Sequence, residues 1–183
     1  MKSVFIMSGL LALSMQISAQ KFFTKEGTIK FYSEAKLEKI QAQNNKATCV
    51  LDASNGAMEW SVLINAFIFE SAFMQEHFNE TYMESPKYPK ASFKGQIDNF
   101  ASLNLKKDGS IAVKVTGELT MHGVTKKVTV DGRLNVAGGA IAVDSKFYIK
   151  PADYNINIPG DKKDSISGNI EVTVKGDLKE LKK

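Results

Sequence analysis

The two histidines are the residues best suited to metal or acid–base chemistry. His77 lies in a segment with helical periodicity, and His122 stands in a His-Gly pair between two strand-like runs. A zinc site needs three or four converging ligands, so Glu76, Glu80 or Asp153 would have to join both histidines in space. No metal-binding spacing is present, and we predict neither a metal nor a cofactor. His122 is interpreted as a turn residue whose ring bonds to nearby backbone.

Nucleophilic side chains give no better indication of catalysis. Ser92 and Ser145 lack a histidine and an acid in a recognisable order, and no Gly-rich phosphate loop or G-x-S-x-G turn occurs. Cys49 is the only cysteine, so no intramolecular disulfide can form. We interpret it as a packed thiol. The sequence therefore predicts a protein that is not an enzyme and has no catalytic residues.

Alternation of apolar and polar residues dominates the chain after residue 20. Apolar side chains at every second position predict strands with one dry face and one wet face. Turn signals separate the runs, namely Asn44-Asn45, Asn55-Gly56, Asp108-Gly109, His122-Gly123 and Gly138-Gly139. Such tight connections place neighbouring strands antiparallel. Strands are predicted at residues 23–32, 37–43, 46–52, 57–69, 91–100, 110–120, 124–136, 140–149 and 165–176, with a further short one at 154–158. We predict an all-β fold, an antiparallel barrel of about eight strands.

One segment has helical periodicity instead. Its apolar stripe consists of Phe69, Phe73, Met74, His77, Phe78 and Tyr82. Spacings of three and four residues predict a short helical insertion, which Pro86 and Pro89 would end. A helix inserted between barrel strands would cover an open end. Two alternatives follow for its aromatic residues, which either plug the core or contact a ligand.

The inward-facing rows contain many side chains of modest size, namely Val113, Val115, Val130, Gly132, Val143 and Val172. Small side chains in a wide barrel leave apolar volume that an apolar guest can occupy. The predicted ligand-lining residues are Phe31, Trp60, Val113, Val115, Val130, Phe147 and Val172, with Phe69, Phe73 and Phe78 near the mouth.

The N-terminal segment predicts export. Lys2 precedes an apolar run from Val4 to Leu13, and the small residues Ser18 and Ala19 follow at the predicted cleavage site. This pattern is typical of a secretory signal peptide covering residues 1–19. Gln20 rather than Cys follows the predicted cleavage site, which indicates a periplasmic or secreted protein that is not a lipoprotein. Cleavage removes one lysine and no acid, so the formal net charge falls from +4 to +3. The bases are scattered rather than clustered among aromatics, so no nucleic-acid partner is predicted.

Three phrases resemble the YceI-like family. They are GELTMHGVTKKVTVDG (residues 117–132), KYPKASFKG (87–95) and DYNINIP (153–159), in the family's order and spacing. The segment FYSEAKLEKIQAQNNKATCV (31–50) departs from the family's N-terminal pattern. Together with HFNE at 77–80, it indicates a divergent branch of the family. The resemblance implies a lipocalin-like β-barrel domain over residues 20–183. It also implies binding of a polyisoprenoid or related long lipid outside the cytoplasm, and it leaves monomer and homodimer as alternatives.

The combined prediction is a barrel that binds, stores or transports one long apolar lipid, such as a polyisoprenoid, quinone tail or fatty chain, without catalysis. The main alternative is a structural or stress-response protein whose barrel is packed and holds no ligand. A third alternative is an enzyme acting on a lipid or quinone head group. The lipid's identity, its exchange partner and the oligomeric state are not determined by these residues.

Overall fold

Residues 20–181 are described by a computed structural model of the chain, and β-strands account for most of them. The strands are β1 (Lys21–Glu34), β2 (Lys39–Asp52), β3 (Ala57–Leu63), β4 (Ile68–Phe69), β5 (Lys90–Ile97), β6 (Gly109–Met121), β7 (Val124–Ala137), β8 (Ala140–Ile149) and β9 (Ile170–Glu180). In the described part of the chain, one α-helix, α1 (Ala72–His77), continues into a π-helical segment, Phe78–Tyr82. Within residues 20–181, no helix has the length and apolar character needed to cross a bilayer.

Eight of these strands close into a barrel. They follow the order β1-β9-β8-β7-β6-β5-β3-β2, and β1 pairs back onto β2, with every pairing antiparallel. The two-residue strand β4 pairs with Ala42 and Gln43 of β2, on the edge that β3 uses further along the strand. Closure removes the exposed strand edges that an open sheet would present. The predicted antiparallel barrel of about eight strands with one short helical insertion is confirmed.

The predicted turn at Asn44-Asn45 is wrong, because β2 continues through it. The register between β1 and β2 shifts at this point, which marks a β-bulge. Asn44 is fully buried; its side-chain oxygen accepts a bond from the Lys46 N–H (2.8 Å), and its amide donates to the Leu63 carbonyl (2.9 Å). The Asn44 side chain therefore bonds to backbone groups at a bulge within a paired strand. The Asn-Asn dipeptide alone favours a turn, which is why the sequence predicted one.

The predicted short strand at residues 154–158 is also wrong. Pro151–Tyr154 forms a 3-10 turn, and Asn155 follows with a φ of 56°. Tyr154 and Ile156 are nonetheless buried, so their alternation reports packing against the barrel without strand pairing. Period two indicates which residues face the protein, but a strand also requires a neighbour with free backbone groups.

One end of the barrel, here called the closed end, is filled by side chains. Five large residues there are at most 2% exposed, namely Leu51, Ile97, Leu134, Ile141 and Leu178. They come from strands all around the ring, so their packing seals the barrel on that side.

Cys49 lies within this closed end and is 1% exposed. Burial raises the pKa of its thiol far above the ordinary range, and the thiolate is the reactive form. We expect the folded protein to resist a disulfide reagent such as Ellman's reagent at mildly alkaline pH, and the denatured protein to react with one equivalent. Rapid labelling without unfolding, with the circular dichroism spectrum unchanged, would contradict this packing.

Candidate functional site

The half of the barrel opposite the closed end encloses a cavity of about 440 Å³. Ligand sites are typically about 300–1,000 Å³ and mainly apolar, so this volume is large enough for a small guest. The walls are inward-facing side chains of the barrel strands. Side chains from α1, the π-helical segment and the loop carrying Ile158 and Ile166 surround its outer end, which we call the mouth.

The structure places all ten predicted lining residues at this cavity. Phe31, Val172 and Phe147 lie side by side on β1, β9 and β8, and Val115 pairs with Val130 across β6 and β7. The complete set is Phe31, Trp60, Phe69, Phe73, Phe78, Val113, Val115, Val130, Phe147 and Val172. Their contact with a ligand stays a prediction.

Further lining residues fall into two groups. Those on strands continue the same alternation, as Ile29 does two residues before Phe31 and Val174 does two residues after Val172. Extending the predicted rows by one step would have found them. Ile158 and Ile166 lie on the loop between β8 and β9. Period two placed both in predicted strands, at 154–158 and 165–176, but the first is not a strand and β9 begins only at Ile170.

Four phenylalanines pack together at the mouth. Phe31, Phe67, Phe69 and Phe78 have ring centroids 5.0–5.7 Å apart in five pairs, which is the spacing of favourable aromatic pairs. Phe73 is different, since it is 68% exposed and its ring contacts His77 at 4.3 Å. The alternative of core packing therefore holds for Phe78, which also lines the cavity, and ligand contact by either residue stays a prediction. Phe78 is part of a packed aromatic cluster, whereas Phe73 lies at the rim.

His122 fastens three segments at the same end of the barrel. It is 8% exposed, has a φ of 51°, and lies in the turn between β6 and β7. Nδ1 lies 3.0 Å from the Tyr154 carbonyl oxygen, and Nε2 lies 2.9 Å from Oε2 of Glu84. The Tyr154 carbonyl oxygen can only accept, so Nδ1 is the donor in that hydrogen bond, while Nε2 contacts the Glu84 carboxyl group. The ring does bond to backbone, but to a carbonyl remote in sequence.

The hydrogen bond from His122 holds the turn Pro151–Tyr154 beside a gap in the β7–β8 pairing. β7 and β8 are paired only from Gly132, opposite Ser145, to Ala137, opposite Ala140. The halves of the two strands nearer the mouth are therefore not joined by backbone hydrogen bonds. The turn Pro151–Tyr154 contacts β7 there. The two histidines have separate partners, and among residues 20–181 no three His, Cys, Asp or Glu side chains are grouped as metal ligands.

Sequence comparison matches the YceI-like domain model to residues 13–178. Protein YceI of Escherichia coli O157:H7 is 36% identical over 81 residues, 41% of this chain and 38% of that protein. A UPF0312 protein of Pseudomonas putida is 29% identical over 101 residues, 52% of this chain and 48% of that protein. The matched part is thus less than half the length of either relative.

Solved structures share the fold. A polyisoprenoid binding domain from Saccharophagus degradans, implicated in plant cell wall breakdown, superposes with a TM-score of 0.73 at 15% identity, covering 90% of this chain and all of that one. BcnA of Burkholderia cenocepacia gives 0.68 at 16% identity, covering 83% and 95%. The YceI protein of Campylobacter jejuni gives 0.58 at 19% identity, covering 100% and 94%. With the domain match extending over most of its length, this chain belongs to the YceI-like family.

Proposed function

We propose that this protein binds one long apolar lipid chain inside its barrel, without chemical conversion, and stores or transports it outside the cytoplasm. The observation that carries the proposal is the cavity of about 440 Å³ lined by alternating apolar residues of the barrel wall. A barrel that is only structural would fill this volume with side chains, as the closed end does. The cavity therefore favours a binding protein over the packed-barrel alternative.

Energetics favour a long guest over a small one. Burying a CH₂ group gains about 0.8 kcal/mol, whereas association costs about 4–15 kcal/mol of lost freedom. A guest of about five carbons would gain roughly 4 kcal/mol and one of about fifteen roughly 12 kcal/mol. The longer chain offsets most of this cost range by burial alone, whereas the shorter one reaches only its low end.

A structural neighbour indicates the chemical class of the proposed ligand. The Saccharophagus degradans neighbour is a polyisoprenoid binding domain, which makes a polyisoprenoid or the isoprenoid tail of a quinone the first candidate here, and a fatty chain the second. At the mouth, Glu38 and Lys162 line the cavity together with Tyr82. Charges of both signs there suit a polar but uncharged head group.

Native mass spectrometry of the purified protein, followed by organic extraction, tests this function. We expect a mass above that of the polypeptide, lost on extraction, and a prenyl or acyl lipid in the organic phase. The same spectrum distinguishes a monomer from a homodimer. An empty protein that also fails to take up added farnesol would contradict the proposal and support the packed barrel.

We also propose export, which concerns residues 1–19 outside the described part of the chain. The support is the sequence pattern of Lys2, the apolar run Val4 to Leu13, and Ala19. N-terminal sequencing of native protein should find Gln20, free or cyclised, in a periplasmic or secreted fraction. Recovery of intact Met1 in the cytoplasmic fraction would overturn it.

A further inference from the structure

We propose that Trp60 forms the inner end of the lipid site and limits the length of chain that it encloses. This assignment deepens the proposed function and rests on it. Trp60 is on β3, and its indole extends across β2 to the backbone of two other strands. A Cβ atom at Gly27 on β1 would lie 2.8 Å from Cζ3 of Trp60, and one at Gly176 on β9 would lie 2.8 Å from Cη2. The ring therefore lies directly over both glycines, where no side chain fits beneath it.

The indole separates two differently packed regions of the barrel. On its mouth side, Val172 and Val174 of β9 line the cavity. Beyond it, Leu51 and Leu178 are fully buried and belong to the packed closed end. Met58, two residues closer to the closed end on β3, and Leu134 of β7 also line the inner end of the cavity. We call Trp60, Met58 and Leu134 the floor of the site.

The floor sets a depth. On β8 the cavity-lining row runs from Ile149 at the mouth to Val143, which is about 20 Å along the strand at roughly 3.4 Å per residue. A strand tilt of about 40° reduces this to about 15 Å along the barrel axis. Carbon–carbon bonds of about 1.5 Å make an extended isoprene unit about 5 Å long. The site therefore encloses about three units, the length of a farnesyl chain.

The polarity of the two ends fixes the direction of the guest. The floor residues are apolar, whereas Glu38, Lys162 and Tyr82 line the mouth. Arg133 and Asp144 also border the cavity, but they alternate with the inward-facing Leu134 and Val143 and so lie on the outer face of β7 and β8. A polar head would lose its hydrogen bonds with water if it were placed at the floor. The chain end therefore contacts Trp60, and any part of a lipid longer than the site emerges at the mouth.

Trp60 is the only tryptophan of the chain, so its fluorescence reports on the floor without mutation. Hexadecanoic acid brominated at its terminal carbon, or at the carbon beside the carboxyl group, is bound to the delipidated protein, with occupancy measured by native mass spectrometry. At equal occupancy we expect strong quenching by the terminal bromine and little by the other. Equal or reversed quenching would overturn the floor assignment. Failure of both probes and of farnesol to bind would overturn the proposed function itself.

A length series tests the limit independently. For the native protein, affinity should rise from geraniol to farnesol and then level off for longer prenols. Trp60→Leu, checked for folding by circular dichroism, should raise the affinity for the longest prenol relative to farnesol by about tenfold, the effect of burying roughly two more carbons. Leu63→Ala, at an exposed position of the same strand, should leave the series unchanged. A folded Trp60→Leu protein with the native plateau, or no plateau in the native protein, would contradict the assignment.

Discussion

Lysine at Val130 or Val172 is expected to lower the free energy of unfolding by several kcal/mol, because an ammonium group would lie unpaired against an apolar lumen. Val172 is 9% exposed and pairs with Phe31 and Phe147. Val130 pairs with Val115 on β6. Urea denaturation followed by circular dichroism gives the change in unfolding free energy.

Thr129→Lys is the matched control, since Thr129 is exposed and next to Val130. Its effect should stay within about ±0.5 kcal/mol. Glu171, the other position that alternation places on the wet face, is a poorer control. It pairs with Lys146 (2.9 Å) and accepts a bond from the Tyr148 hydroxyl, and the bond from Lys146 lowers the pKa of this carboxyl. Equal tolerance of lysine at positions 129, 130 and 172 would show that the facing of the strands is wrong.

Tryptophan at Val115 is expected to expel the lipid while the barrel survives. Val115 is buried between Ile97 and Val130 and faces the cavity. An indole there would displace about four carbons of the guest, roughly 3 kcal/mol, which corresponds to an affinity loss of about hundredfold. Overpacking should destabilise the fold by only about 1–3 kcal/mol. Titration of the delipidated variant with farnesol measures the affinity.

The control for this variant is Ala112→Trp, at an exposed position of the same strand β6. It introduces the same side chain outside the barrel and should leave binding unchanged. A folded Val115→Trp protein that binds farnesol as well as the native protein does would place the guest elsewhere. Loss of binding in both variants would indicate an effect on the strand rather than on the lumen.

The strands of the barrel wall could be predicted where the alternation of apolar and polar residues ends at residues that favour a turn. The strands predicted at residues 110–120, 124–136 and 140–149 match β6, β7 and β8 to within one residue at each end. Their connecting turns need positive φ, and His122, Gly123, Gly138 and Gly139 supply it. The facing of each strand then follows from period two, which is why the lining rows could be named from sequence.

Features that depend on distant partners could not be predicted. The bulge at Asn44 is fixed by the Leu63 carbonyl, and the buried turn at Tyr154 is held by His122. No local pattern encodes either contact. The direction of the Trp60 ring likewise depends on Gly27 of β1 and Gly176 of β9. These two strands come together only when the barrel closes. The sequence therefore indicates Trp60 as a lining residue but not the direction of its ring.

The central claim is that one apolar chain is buried in the lumen. Isothermal titration of the delipidated protein with farnesol, at several temperatures and at low and high salt, tests it most directly. Apolar burial predicts one ligand per chain, a negative heat-capacity change and an affinity that salt does not reduce. The absence of saturable binding, or an affinity that falls steeply with salt and shows no heat-capacity change, would contradict it.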